Sequence, residues 1–565
     1  MSLGDSFPIK ISVLNSYVIL LLPSAVLYVV TLLVYRLYYA SVAKFPGPRL
    51  AAITFFYEFY YDVWLEGRYT WKIQELHKQY GLLHLLTIKQ GRILICHPHL
   101  GPFVRINPCE VHCNDPEFFD VLYVNSGKRR TDKSMWAIRQ SYEHLQLVHP
   151  TALAHLLTAY YLSPTRDSAF KTIEHDLHKM RRNQLSPFFS KASIRTLEPL
   201  LVHKVDKLCT RLEESCDTNR VLSLTHAFVA LTLDIISRVC FGYSYGCLEQ
   251  KEFASKFYED LVSSSRTVHL VRQFPWFFQL IARFPRLASN KMADGMLAAK
   301  KRQMEVMQQV KDIVDRHARN EKPPIEAFTV FDAMLDADVP PHEKSVSRLT
   351  AEALTLTAAG SLTTANTLDA TIYYLLTNPT CLACLRQELD VAIPDLKMLP
   401  TTAELEKLPY LTAVIHEALR LGKGVPHRLA RVSPDVSYRY REWVIPRGAP
   451  ISMSSIGILE HPGIFPDPHN FIPERWLPFD APEVRHRRKY LIVFGGGSRM
   501  CLGLNLAWAE LYLTVAAVVR RFGGRLSLDD FVFDRDLEIV VDGFNPLPSR
   551  ESKGLRVLVS PKTIV

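Results

Sequence analysis

Residues Phe494 to Gly503 read FGGGSRMCLG. Three consecutive glycines lead to Arg499 and Cys501, and the chain then runs into LGLNLAWAELYLTVAAVV, apolar at three- and four-residue spacing. Three chemistries suit such a stretch. A glycine-rich loop before a helix can cradle phosphate, but there is no Lys-Ser/Thr pair and no strand–GxGxxG–helix unit nearby. A cysteine nucleophile would need a histidine, and although 20 are available, no local signature of a thiol enzyme surrounds Cys501. A thiolate metal ligand is the third reading. One cysteine suffices if a macrocycle already holds the metal, and glycines let the backbone approach a flat group closely. The first amides of the following helix would favour the thiolate, and Arg499 could pair with a carboxylate on the bound group.

Bulk composition limits the alternatives. The chain has 565 residues, 48% hydrophobic and 22% charged, with formal net charge +10. Its basic residues are scattered, and the densest runs, KKRQ (Lys300–Gln303) and RHRRK (Arg485–Lys489), read as solvated faces, so no nucleic-acid partner is expected. The 10 cysteines follow no disulfide pattern, and CLAC (Cys381–Cys384) reads as buried or idle thiols. From Ile11 to Tyr35 no residue is charged. As a helix this stretch would run about 37 Å, enough to cross a bilayer. Arg36, Lys44 and Arg49 follow it, placing the remainder in the cytosol by the positive-inside rule. No second stretch reads as a span. KFPGPRL (Lys44–Leu50) is a stiff hinge. The expectation is one membrane anchor over residues 1–40 and one globular unit over 41–565.

That unit reads as mainly α with a minor β-sheet. Helical spacing marks Thr70–Tyr80, His178–Phe189, Leu231–Phe241, Ala351–Leu376 and Pro409–Gly422; strand-like pieces lie in Arg431–Gly448 and Leu555–Ser560. Residues Ile445 to Pro482 are proline-rich and irregular.

FGGGSRMCLG matches FxxGxRxCxG, the haem-ligand loop of the cytochrome P-450 monooxygenases, at every fixed position. EALR gives ExxR with Glu417 and Arg420, FIPERW (Phe471–Trp476) resembles the PERF/PERW element, and AAGSLTTA (Ala358–Ala365) is similar to the oxygen-binding AGx[D/E]TT. All four occur in the family's order, and the resemblance covers nearly the whole chain from Pro46. It implies the cytochrome P-450 fold and haem b with Cys501 as iron ligand. Phe494 belongs to the same haem loop. Arg499, Arg428 in PHRLARV, and the pair His178/Arg182 in HKMRR resemble the family's partners of the haem carboxylates. Glu417, Arg420 and Arg475 would form a structural ion network, with Thr363 and Gly360 at the oxygen site. Electrons would come from NADPH through a separate reductase, since no flavin or nicotinamide motif is present, and Arg485–Lys489 could face that partner. The resemblance also implies a single-pass endoplasmic-reticulum protein and an apolar substrate, a terpenoid or polyketide by likeness to fungal trichodiene-oxygenase-like members.

The sequence departs from the family at three places. Leu362 stands where an acid is expected. Segments at about 81–100 and 141–163 look like insertions, either surface loops or retained introns. Three other readings therefore stay open: a haem-thiolate isomerase or dehydratase, a haem protein inactivated by these changes, and a haem sensor or carrier.

Overall fold

A computed structural model describes residues 22–81, 101–136 (except 126), 165–274 (except 219 and 254), 284, and 290–561 (except 322, 325–327 and 397). Both expected insertions, apart from Gly81 at the edge of the first, and the anchor stretch before Leu22 lie outside the described residues.

The described helices include α1 (Leu22–Tyr39), α2 (Tyr69–Gly81), α3 (His175–Leu185), α4 (Glu198–Asp217), α5 (Leu224–Phe241), α6 (Ser255–Gln273), α7 (Asn290–Ala318), α8 (Val346–Thr377), α9 (Pro379–Ala392), α10 (Pro409–Leu421), α11 (Pro482–Lys489) and α12 (Leu504–Phe522). One five-stranded sheet joins β1 (Phe103–Arg105), β2 (Val111–Cys113), β3 (Asp132–Lys133), β4 (Arg431–Val432) and β5 (Ile451–Ser452) in the order β1-β2-β5-β4-β3. Only the β2–β5 pair is parallel. A hairpin of β6 (Val541–Gly543) and β7 (Asn545–Leu547) lies near the C-terminus.

The core follows from composition. α5 is apolar on nearly every face, with Leu231, Leu233, Ile235 and Ile236 all buried, as expected for a helix surrounded by others. Its length and composition alone would allow a span, but it carries Asp234 and Arg238 and is 89% buried within the protein, as a core helix is. It packs along α8, whose buried positions include Leu349, Ala353, Leu362, Ala365 and Leu368. α12 and α10 close the same core. α1 has the opposite character: Leu22, Leu27, Tyr28 and Val34 are all exposed.

The ends of the elements are set by local chemistry. Ser345 caps α8, its hydroxyl accepting from the Arg348 amide, and Gly242 ends α5 in the left-handed conformation. In CLAC, on α9, Cys381 is half-buried and Cys384 exposed, so of the two readings, buried or idle thiols, burial does not hold for Cys384. The described cysteines are all free thiols.

Candidate active site

Cys501 leaves the loop one turn before α12. Its amide donates to the Phe494 carbonyl at 2.8 Å, and the Ser498 amide to Val124 O at 3.0 Å, which folds the glycine run back on itself. Gly497 needs to be glycine: its φ is +67°, and a Cβ there would collide with the Val124 carbonyl. The Gly503 amide points at the sulfur and Arg182 lies near it; both favour the thiolate, while burial, the larger influence, pushes the thiol up. Cys501 lies deep inside the protein, yet its surface is open, because it faces a cavity of about 330 Å³.

The opposite wall is α8. Ala359 and Thr363, one turn apart, both open into the cavity. Thr363 Oγ1 donates to the Ala359 carbonyl at 2.8 Å, leaving its lone pairs toward the space. Gly360 also lines the cavity, but a Cβ on it would lie 2.8 Å from Ile236 Cγ1 of α5. Its missing side chain lets α5 and α8 approach, a different use from room for oxygen. Leu362 is buried in the core and does not line the cavity.

One end of the cavity is strongly cationic. Lys133 and Arg431 stand directly opposite across β3 and β4, an arrangement of like charges that destabilises a sheet. Arg182, Arg499 and the buried His178 join them around the same space. Arg499 is held by the carbonyls of Thr172 and Ile173, both at 2.6 Å, and its buried Nε has no partner. Burial and the Arg431 charge hold Arg499 down to about 9; burial and the four neighbouring cations hold His178 down to about 2. Among the described residues no carboxylate makes an ion pair with Lys133, Arg182, Arg431 or Arg499. A flat group carrying two carboxylates, with a metal facing Cys501, answers both features, so the residues present fit haem b. Phe494 lines the same cavity, its ring 6.0 Å from that of Trp508.

Arg428 sits elsewhere. It is fully buried between Glu110, whose Oε1 is 3.1 Å from its Nε, and Glu58, at 2.7 Å, and it is not among the cavity-lining residues. Arg431, three positions on, lines the cavity instead. Three is an odd offset, so in an extended segment the two arginines face opposite ways; that signal was available in PHRLARV. Lys133 and Glu510 were also missed. Glu510, on α12, lines the cavity beside the Thr364 hydroxyl, with buried Oε1 unpartnered, and burial pushes it up to about 8. A lone acid on an otherwise apolar helical run was its trace in the sequence.

Away from the cavity, Glu417 accepts from Arg420 (2.7 and 2.9 Å), Arg475 (3.0 Å), Trp476 Nε1 (2.9 Å) and the Ile472 amide (3.1 Å). Arg420 and Arg475 spend their remaining N–H groups on carbonyls of residues 459–470. These buried charges are fully partnered and pin the proline-rich segment to α10. A second buried cluster holds His269, His427 and Asp542 close enough for a metal. However, His427 Nδ1 donates to Asp542 at 3.0 Å and its Nε2 accepts from Arg272, also at 3.0 Å. A guanidinium at that nitrogen opposes a cation, and the cluster is a hydrogen-bonded joint between α6, β6 and residues 58–62.

The family model of cytochrome P450 matches residues 143–533. A cytochrome P450 monooxygenase of Ascocoryne sarcoides is 37% identical over 94% of this chain and 96% of its own length. A tryptophan 6-hydroxylase of Fusarium equiseti is also 37% identical, over 94% and 95%. The fusicoccadiene C-8 hydroxylase of Phomopsis amygdali is 35% identical over 93% of each.

Proposed function

The chain belongs to the cytochrome P450 family, a monooxygenase by its relatives, and from that premise we propose that it inserts one atom of O2 into an apolar small molecule, a terpenoid or polyketide intermediate of fungal secondary metabolism. The observation that carries this reading is the single cavity bounded by Cys501, the Ala359–Thr363 face of α8 and a cluster of unpaired cations.

Haem b, when bound, supplies a thiolate-ligated iron at which O2 is reduced. Cys501 would be its ligand. Arg182, Arg431, Arg499 and Lys133 would hold its carboxylates, and neutral His178 would donate a hydrogen bond there. Thr363 would hold a water hydrogen-bonded at Oγ1. Leu356, Ala359, Phe170 and Phe544 exclude bulk water and receive an apolar body. A second reading, an indole-bearing substrate, is favoured by Asn366 and Asn545, which line the cavity and each place one amide N–H on a neighbour, Asn366 weakly on Pro546 O at 3.4 Å and Asn545 on Ser265 Oγ at 3.1 Å. Their amide oxygens would accept an N–H, and two relatives are named for tryptophan-type substrates.

α1 would anchor the chain in the endoplasmic-reticulum membrane, with the catalytic part cytosolic. Electrons would arrive from NADPH through a membrane-bound reductase docking near the exposed basic face of α11. Reconstitution with reductase and NADPH over a panel of terpenes, polyketides and indoles tests this. A product one oxygen atom heavier, formed only with NADPH, supports a monooxygenase. Product without NADPH would replace it with an isomerase or dehydratase, and no turnover with any panel member would favour a carrier or sensor.

A further inference from the structure

The acid expected at position 362 is a buried leucine, so protons must reach the active site by another route. A second cavity of about 320 Å³ lies behind α8 and shares Asn366, Gly422 and Pro546 with the first as a common wall. Along α8, Thr363 lines the first cavity, Asn366 both and Asp369 the second. Successive steps of three residues rise about 4.5 Å and turn about 60° each, so Thr363 and Asp369 lie about a third of a turn apart with Asn366 between them. Asn366 Nδ2 reaches the Pro546 carbonyl at only 3.4 Å, a weak contact across the shared wall.

Asp369 is buried, with Oδ1 unpartnered. Its Oδ2 accepts from the Thr225 hydroxyl at 2.7 Å, and the same hydroxyl accepts the Leu555 amide at 2.8 Å. Charged and titratable groups face this cavity from each element around it: Tyr258 on α6, Lys423 after α10, Glu460 and His469 in the proline-rich segment, and Asp536 and Glu538 before β6. None makes an ion pair with Asp369; Lys423 is spent on Glu460 at 2.6 Å. Burial therefore pushes the Asp369 carboxyl up to about 8. His469 and Glu538 are exposed, so the cavity meets solvent at that side.

Resting on the haem-site reading above, we propose that the second cavity is a water-filled proton inlet in which Asp369 is the buried acid and Asn366 anchors the water between it and Thr363. The carboxyl O–H gives its proton to that water, which passes one of its own to water at Thr363. The carboxylate is then reprotonated from bulk water through the mouth beside His469 and Glu538. No electron moves, and the net change is one proton carried from solvent to the active-site cavity. Asp369 is a positioning residue for proton supply, since it touches neither substrate nor cofactor.

The test is Asp369→Asn, which keeps the shape and the acceptor for Thr225 and replaces one neutral group by another. Infrared titration reads the acid without any turnover in a Glu510→Gln background, which removes the other buried carboxyl held near 8: a protonated-carboxyl band that disappears as pH rises through about 8 is expected there and missing once D369N is added. In the haem-loaded enzyme, product formed per NADPH falls about tenfold or more, peroxide rises and the solvent isotope effect grows; D369E restores coupling. Asn366→Leu, which keeps the acid but removes the water anchor, should uncouple while retaining the band, so the proposal stays testable if D369N folds poorly. Complete loss of the band in Glu510→Gln alone would overturn the proposal in favour of Glu510, as would unchanged coupling in both D369N and N366L. A wild type that binds no haem fails the underlying reading instead, and the infrared result still decides the protonation of Asp369.

Discussion

At the scale of single residues, the two arginines of PHRLARV separate stability from cofactor binding. Arg428→Leu leaves Glu110 buried with neutral donors only and Glu58 with Arg272 as its remaining cation, a loss of buried pairing that costs about 3–5 kcal/mol. Arg431→Leu instead removes a repulsion with Lys133. The haem-free R431L protein should melt no lower than wild type while retaining less haem, and R428L should melt many degrees lower. Melting curves and haem-to-protein ratios read both, and the opposite pattern would return Arg428 to the carboxylates. The motifs made Cys501, Arg499, Arg182 and His178 legible because fixed spacing ties them to a loop or a helix face. The choice between Arg428 and Arg431 turned on strand alternation, and Glu58, the partner that holds Arg428, lies hundreds of positions away, where no local pattern points.

At the scale of elements, α5 against α8 and α2 against β2 are the joints to probe. Gly360→Val pushes a branched side chain into Ile236, and such overpacking costs about 1–3 kcal/mol. Ile236→Ala in the same protein should recover part of that loss, as a double-mutant cycle would show; additive losses would contradict the packing account. Helix positions were readable from periodicity, but the neighbour that requires Gly360 was not, since one helix carries no record of the residue it meets on another. At the second joint, His77 on α2 and His112 on β2 share a hydrogen bond at 2.8 Å and are buried. Burial holds His77 down to about 3, whereas a free imidazole titrates near 6.5. Between those values the unfolded chain binds the extra proton, so stability is full above about 6.5 and declines as pH falls toward 3. His77→Gln should flatten that acid-side decline in melting temperature; an unchanged slope would show that other groups govern it.

At the scale of the molecule, an exposed apolar helix precedes a protein whose interior holds the cavity between Cys501 and α8. Deleting residues 1–40 should move the protein from the membrane pellet to the supernatant without loss of bound haem, as fractionation would show; persistence in the pellet would point to a second membrane contact. The overall class, mainly helical with a small sheet, was legible from periodicity and motif order. The joint of His269, Arg272, His427 and Asp542 with Glu58 and Asp62 was not, because it brings together four distant parts of the chain. The central claim is that Cys501 presents a thiolate to haem iron in a folded pocket. Its most direct test is the absorption spectrum of the reduced, carbon-monoxide-bound protein in membranes, beside Cys501→Ser. A red-shifted Soret band in the wild type that is lost in C501S is predicted; a wild-type band at the position of neutral-ligand haem would contradict the account.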